Sequence, residues 1–197
     1  MHRTSIVVTL MVVATQASAQ EDPADLDTRG RGHFGAPVVA GTVFRGQGAL
    51  MFGGQAGWNV TPTLVLGGAA YATMTEIDGP DVATIARDGP IDLKVETFGV
   101  DVGYTPRAVA PTHLTIALFA GGAAAHYVKD KTTEQQDETD FMLLFEPSVG
   151  VETRVARGVQ LRGAVSYRLV SGVEQPGLRA SDMNGPAVSL AVKFGRF

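Results

Sequence analysis

From residue 50 onward the chain alternates apolar with polar or small residues at a period of two, in runs of about eleven residues or more. A period of two sends successive side chains to opposite faces, which a strand does and a helix cannot. No helical period persists beyond two turns. The clearest run is 50–60, with Leu50, Phe52, Ala56, Trp58 and Val60 on one face and Gly53, Gln55, Gly57 and Asn59 on the other. Residues 63–75 put Leu64, Leu66, Ala70 and Met74 on one parity, against Val65 and Tyr71. In 91–104, Phe98, Val100, Val102 and Tyr104 oppose Gly99, Asp101 and Gly103. The first half of that run (Ile91, Leu93, Val95) is out of phase with the second, which predicts a bulge near Glu96-Thr97.

Four more runs follow the same rule. Leu114, Ile116 and Leu118 alternate with His113, Thr115 and Ala117 in 113–127. Phe141, Leu143, Phe145, Val149, Val151 and Val155 oppose Glu146, Ser148, Gly150, Glu152 and Arg154. Val159, Leu161, Val165, Tyr167 and Leu169 oppose Gln160, Arg162, Ser166 and Arg168, and Val188, Leu190, Val192 and Phe194 oppose Ser189, Ala191 and Lys193. A further strand near 35–45 makes eight. The links sort by length: short at Thr61-Pro62, 105–112 and 156–158, long and polar at 76–90, 128–140 and 171–186. Only the first link, around Gly46-Gln47-Gly48, is short where a long one is due. Alternating short and long links are the habit of a membrane barrel, whose periplasmic turns are short and outer loops long.

The first nineteen residues read differently. Arg3, the apolar run from Ile6 to Ala14 and the small-residue exit Ala17-Ser18-Ala19 describe a secretory signal peptide, cleaved after Ala19. The apolar run falls short of the roughly 20 residues that a spanning helix needs. Residues 20–33 form a polar lead-in broken by Pro and Gly, and the barrel is expected over 34–197. There is no Cys, which excludes a lipid-anchored terminus and any disulfide. The formal net charge is −4, and losing Arg3 with the signal makes it more negative, so a nucleic-acid partner is not expected.

Strands of ~11–14 residues rising ~3.3 Å each and tilted ~40° span about 25–35 Å, the thickness of a hydrocarbon core. In lipid every backbone polar group must be paired internally, so such a sheet has to close. The non-apolar parity carries Asp101, Glu146, Glu152, Arg154, Arg162, Arg168 and Lys193, nearly balanced in sign. That set suits a lumen where ion pairs satisfy one another, and equally a water-exposed surface. The signal peptide and link sorting favour the lumen. Trp58, Tyr104, Phe194 and Phe197 fall at strand ends on the predicted periplasmic side, and Tyr127 and Phe141 flank a long outer link. Rings at both levels would make the aromatic girdles of a membrane barrel.

Three stretches carry a family likeness: Gly53-Gly54-Gln55-Ala56-Gly57-Trp58-Asn59-Val60-Thr61-Pro62-Thr63-Leu64; Pro147-Ser148-Val149-Gly150-Val151-Glu152-Thr153-Arg154 with its continuation through Leu161-Arg162 to Tyr167-Arg168; and the final Phe197. In these the chain resembles the OmpA/OmpX-like family of small outer-membrane β-barrels. The resemblance implies an all-β, eight-stranded antiparallel up-and-down transmembrane barrel. It also implies outer-membrane lipid and lipopolysaccharide as surroundings, a periplasmic N-terminus, and the barrel-assembly machinery as a partner through Phe197. Phe197 is out of step with Phe194, Val192 and Val188, and a bulge at Gly195-Arg196 would bring it back into phase.

Catalytic candidates are sparse. A barrel lipid-A deacylase of similar size pairs His and Ser two residues apart, but His113-Leu114-Thr115 offers Thr, and His113 reads as an interfacial polar residue. His126 lies near an outer link and reads as solvated. Asp101, Glu146 and Glu152 could be a carboxylate cluster for acid–base work, but Arg154, Arg162 and Arg168 beside them point to a structural network. The acidic link 128–140 has no calcium-loop spacing, and Asn59-Val60-Thr61 is an accidental sequon. No cofactor, metal or enzymatic activity is expected, and the chain is expected to be a monomer. The expected role is a scaffold or loop-presenting envelope protein. The alternatives are a narrow channel or carrier for a small solute and a secreted lipocalin-like binding barrel.

Overall fold

A computed structural model describes residues 32–79, 91–106, 110–129, 140–174 and 177–197. The expected signal peptide and most of the expected lead-in lie outside the described residues. The strands are β1 (His33–Phe44), β2 (Gln47–Asn59), β3 (Leu64–Thr73), β4 (Ile91–Tyr104), β5 (Thr112–Lys129), β6 (Asp140–Ala156), β7 (Val159–Ser171) and β8 (Gly185–Gly195), with one helical turn, α1 (Ala180–Met183), before β8. Each strand pairs antiparallel with the next, and β8 pairs with β1, closing an eight-stranded barrel with no free edge. The barrel begins at His33, one residue before the boundary expected from sequence.

The register defines the geometry of the closed sheet. Cross-strand pairs lead from Val159 to Phe194, Gly35, Ala56, Gly68, Val100, Ala120 and Phe145, then return to β7 at Leu169. The path has climbed ten residues along β7, and such a stagger over eight strands tilts them by roughly 40° and leaves an interior that side chains can fill. Two-residue links join β1 to β2 and β6 to β7. Arg45-Gly46, at φ 51° and 76°, makes a primed hairpin turn in which both central residues are left-handed. Pro37 and Pro147 interrupt the ladder, because proline has no N–H to give: pairing lapses between Gly35 and Val38 against β8, and between Phe145 and Ser148 against β7.

Every strand turns large apolar side chains outward. Val39, Phe52, Leu64, Val100, Ile116, Val149, Val165 and Leu190 represent β1 to β8 in turn, each exposed by a third or more of its surface. A soluble protein does not carry a continuous apolar wall on all sides. The links at one end, 60–63, 105–111 and 157–158, are short, and both ends of the described barrel lie there; this is the turn end. The loop end carries the long links.

The interior changes character along its axis. Its turn half is polar, whereas the loop half is packed with Phe44, Met51, Leu93, Val95, Phe119, Tyr127, Met142 and Leu144. Two long links add to this plug: Ile77 from the link after β3, and Leu178 and Met183 from the link before β8. The predicted bulge at Glu96-Thr97 is absent, since β4 pairs with β5 without interruption from Ile91 to Tyr104. The phase break instead marks a change of surroundings. From Phe98 to Tyr104 the outward residues are apolar and Asp101 points in. Nearer the loop end Lys94 and Glu96 point out, while Leu93 and Val95 are fully buried inside. There β4 has the inside-out pattern reversed, as a strand does where it leaves lipid for water.

Candidate functional site

The barrel interior gathers the polar side chains that the alternation sends inward. In its turn half Glu152 of β6 is the hub, 6% exposed. Lys193 of β8 donates Nζ to Glu152 Oε1 at 2.8 Å, and Arg162 of β7 brings Nε to 3.6 Å from the same oxygen. His113 of β5 places Nε2 at 3.4 Å from Glu152 Oε2 and its other ring nitrogen at 2.9 Å from the Ala110 carbonyl. The second Arg162 branch donates to Ser148 Oγ at 3.2 Å. Across the lumen Gln55 of β2 donates its amide to Asp101 of β4. Lys193 also lies 4.1 Å from the centre of the Phe34 ring, a cation–π contact that closes the floor.

A second group sits nearer the middle. Glu146 accepts from Ser166 Oγ at 2.7 Å and from Arg168 Nε at 3.1 Å. Arg168 stacks its guanidinium 4.8 Å from the Phe44 ring, where the polar tier meets the apolar plug. The interior is therefore an ionic floor beneath a greasy stopper. Removing charges from water is costly unless each finds a partner, and here opposite charges face one another.

The expected lumen residues Asp101, Glu146, Glu152, Arg162, Arg168 and Lys193 all lie inside. Arg154 does not: its side chain is exposed. It shares the parity of Glu152 and still pairs with the buried Gln160, but it is the last residue of β6 before the register shift between Arg154 and Ala156, at the turn-end rim where the long side chain reaches solvent. Gln55, Ser148, Gln160 and Ser166 were on the polar parity but not singled out by charge. His113, expected at the interface, is buried against the Glu152 hub instead.

Of the aromatic candidates, Trp58, Tyr104 and Phe194 face outward at the turn end, and Phe141 faces outward toward the loop end at 70% exposure. Tyr127 is not a girdle residue; it points inward and is 2% exposed within the plug. Phe197 is likewise inside, with its ring stacked on Phe34 at 6.4 Å between centroids. No bulge returns Phe197 to the outward row, so it caps the floor of the lumen from the turn end.

The hydroxyls of Ser148 and Ser166 are engaged by Arg162 and Glu146, not by an imidazole. Among the described residues no three metal-type side chains converge. Between the Gln55–Asp101 pair and the Glu152 hub lies a cavity of about 20 Å³, lined by Thr115, Gly103 and Ala117 as well as those side chains.

No protein-family model and no curated protein sequence matches the chain. Solved structures do match in fold. The crystal structure of Neisserial surface protein A (NspA) superposes with a TM-score of 0.57 at 13% identity, covering 83% of this chain and 96% of that one. The N-terminal β-barrel domain of Pseudomonas aeruginosa OprF gives 0.51 at 13%, covering 85% and 99%. Ail, the attachment invasion locus protein of Yersinia pestis, in complex with the heparin analogue sucrose octasulfate, gives 0.51 at 12%, again covering 85% and 99%. This chain shares its fold with these small eight-stranded outer-membrane β-barrels.

Proposed function

We propose that the protein is an integral outer-membrane barrel with a closed lumen, a non-catalytic scaffold that holds its long links at the cell surface. The observation that carries this reading is the plug. Phe44, Leu93, Val95, Ile77 and Met183 have no exposed surface, and Met51 and Leu144 have 1% each. A solute path would have to pass this packed zone and then the ionic floor. The outward apolar wall supports lipid as the surroundings, and it is the reverse of a lipocalin-like soluble barrel, whose apolar residues point inward. Short links at one end and long ones at the other support a periplasmic turn end, with both ends of the barrel there. Lipopolysaccharide then surrounds the loop half, and the barrel-assembly machinery is the partner for insertion. Because Phe197 is tucked inside, the lipid-facing row Val188, Leu190, Val192 and Phe194 is the part of β8 left to be recognised.

At the loop end Arg45 is engaged by Asp182 and the Gly177 carbonyl, and Glu76, Asp78, Asp92 and Glu174 share that end. Planar-bilayer recording on the purified barrel tests the closed lumen, with no steady conductance expected. Steady openings, lost on Arg162→Ala, would make the protein a channel. Resistance to carbonate extraction and a shift in gel migration on boiling test the lipid setting.

A further inference from the structure

We infer that the lumen cavity between Asp101 and Glu152 is a binding site for one water molecule, which joins the two halves of the ionic floor. Two side chains point to it. Gln55 is 7% exposed and Thr115 is 4% exposed, yet Gln55 Oε1 and Thr115 Oγ1 have no hydrogen-bond partner among the described residues. Both line the cavity. The orientation of the Gln55 amide follows from its partner: a carboxylate only accepts, so the amide turns its nitrogen to Asp101 and its oxygen is the atom left unpaired. A buried amide oxygen and a buried hydroxyl are expensive to leave unpaired, and in lipid no outside solvent relieves them.

The space fits the ligand. A water needs at least about 10–15 Å³ and two to four polar partners, and the cavity offers about 20 Å³ with Gln55, Thr115 and the carboxylates at its wall. Water can donate to Gln55 Oε1 and accept from the Thr115 hydroxyl at once. A bare cation is a worse occupant, because Arg162 and Lys193 line the same cavity and the oxygens are too few for its shell. With water in place, β2 and β4, tied by Gln55–Asp101, are linked through Thr115 of β5 toward the cluster held by β6, β7 and β8. The floor becomes one network instead of two.

Gly103 gives a test whose sign decides. It lines the cavity, and a Cβ added there would sit 3.5 Å from the Val65 Cβ and 4.0 Å from the Ala117 Cβ, ordinary contact distances. If the cavity were an empty void, Gly103→Ala would fill it and remove a strand glycine, so the midpoint of the heat-modifiability transition would stay level or rise. With water bound, the methyl displaces it and the midpoint falls, while Gly103→Ser supplies a hydroxyl in its place and recovers the wild-type value. A level or raised midpoint for Gly103→Ala overturns the inference. The wild-type barrel, crystallised to a resolution that shows ordered solvent, gives the second reading. A density peak within hydrogen-bond distance of Gln55 Oε1 and Thr115 Oγ1 is expected. No peak overturns the site, and a peak ringed by six or more oxygens at about 2.3–2.6 Å overturns water in favour of a cation.

Discussion

Replacing Glu152 by Gln keeps the shape of the hub and removes its charge, so it measures how dry the ionic floor is. Glu152 is 8% exposed at its side chain and Lys193 6%, so solvent can screen little of the loss. With the carboxylate gone, Arg162 and Lys193 face Asp101 alone, and one buried cation is left unmatched. Leaving a buried charge without its partner costs about 3–5 kcal/mol, and the nearby Asp101 places this variant toward the lower end of that span. At about 1.4 kcal/mol per decade, a loss of ~3 kcal/mol is more than a hundredfold in the folding equilibrium. The assay is denaturant unfolding from phospholipid vesicles, followed by the fluorescence of Trp58, the only tryptophan, which leaves the lipid face for water on unfolding. The companion Glu152→Gln/Lys193→Met removes both charges and should recover most of the loss, because an apolar replacement of a whole buried pair is close to neutral. A cost below ~0.5 kcal/mol for Glu152→Gln, the range of solvated surface pairs, would refute the argument and mean a water-filled lumen.

Three further outcomes follow from the same geometry. Val100→Arg, on the outward face of β4, should cost about 2–4 kcal/mol in vesicles, whereas Lys94→Ala, six residues nearer the loop end, should stay within about 0.5 kcal/mol; equal costs would displace the lipid boundary from between Glu96 and Phe98. Arg45→Gly keeps the left-handed turn but removes the guanidinium that donates to Gly177 O at 3.1 Å and pairs with Asp182, so limited proteolysis should cut the 177–184 segment faster while the barrel keeps its unfolding midpoint. Phe197→Ala removes the ring stacked on Phe34 and should lower stability by about 0.5–1.5 kcal/mol in the same vesicle assay; no change would leave that stack without weight.

Parity was the part of this fold that the residues declared openly, because a lipid-facing wall and a filled lumen force every strand to alternate. It placed the outward rows of β2, β5, β6, β7, β8 and the turn half of β4, together with six of the seven charged residues expected in the lumen, and gave no single row for β1 or β3. The girdle expectation for Tyr127 rested on its place beside a long link and not on its parity, and that for Phe197 on a bulge that would override its parity. Tyr127 shares the odd-numbered inward row of His113, Thr115, Ala117 and Phe119, and Phe197 shares that of Lys193, so both were legible as interior rings. Other features carried no periodic signal. Ile77, Leu178 and Met183 are single apolar residues in polar links, and one residue cannot show a period. Their insertion into the mouth is a tertiary event.

Parity also says nothing of depth, and depth explains both Arg154 and the phase break in β4. A side chain on the inward parity is in the lumen only while its strand is, and Arg154 lies at the turn-end rim. A residue on the outward parity is apolar only while lipid is outside, so Lys94 and Glu96 are charged and Leu93 and Val95 take up the burial on the other face. A bulge would have restored one constant rule along the whole strand. The uninterrupted register shows instead that β4 obeys two rules in succession, one for each solvent it passes through. On β4 the greasy stopper begins where the outer face turns charged, whereas on β2 and β6 the plug residues Met51, Met142 and Leu144 alternate with the outward apolar Leu50, Phe52, Leu143 and Phe145, so the stopper also reaches down behind the apolar wall. Where β4 turns charged side chains outward, the plug behind it is packed by the same hydrophobic effect that stabilises any soluble domain.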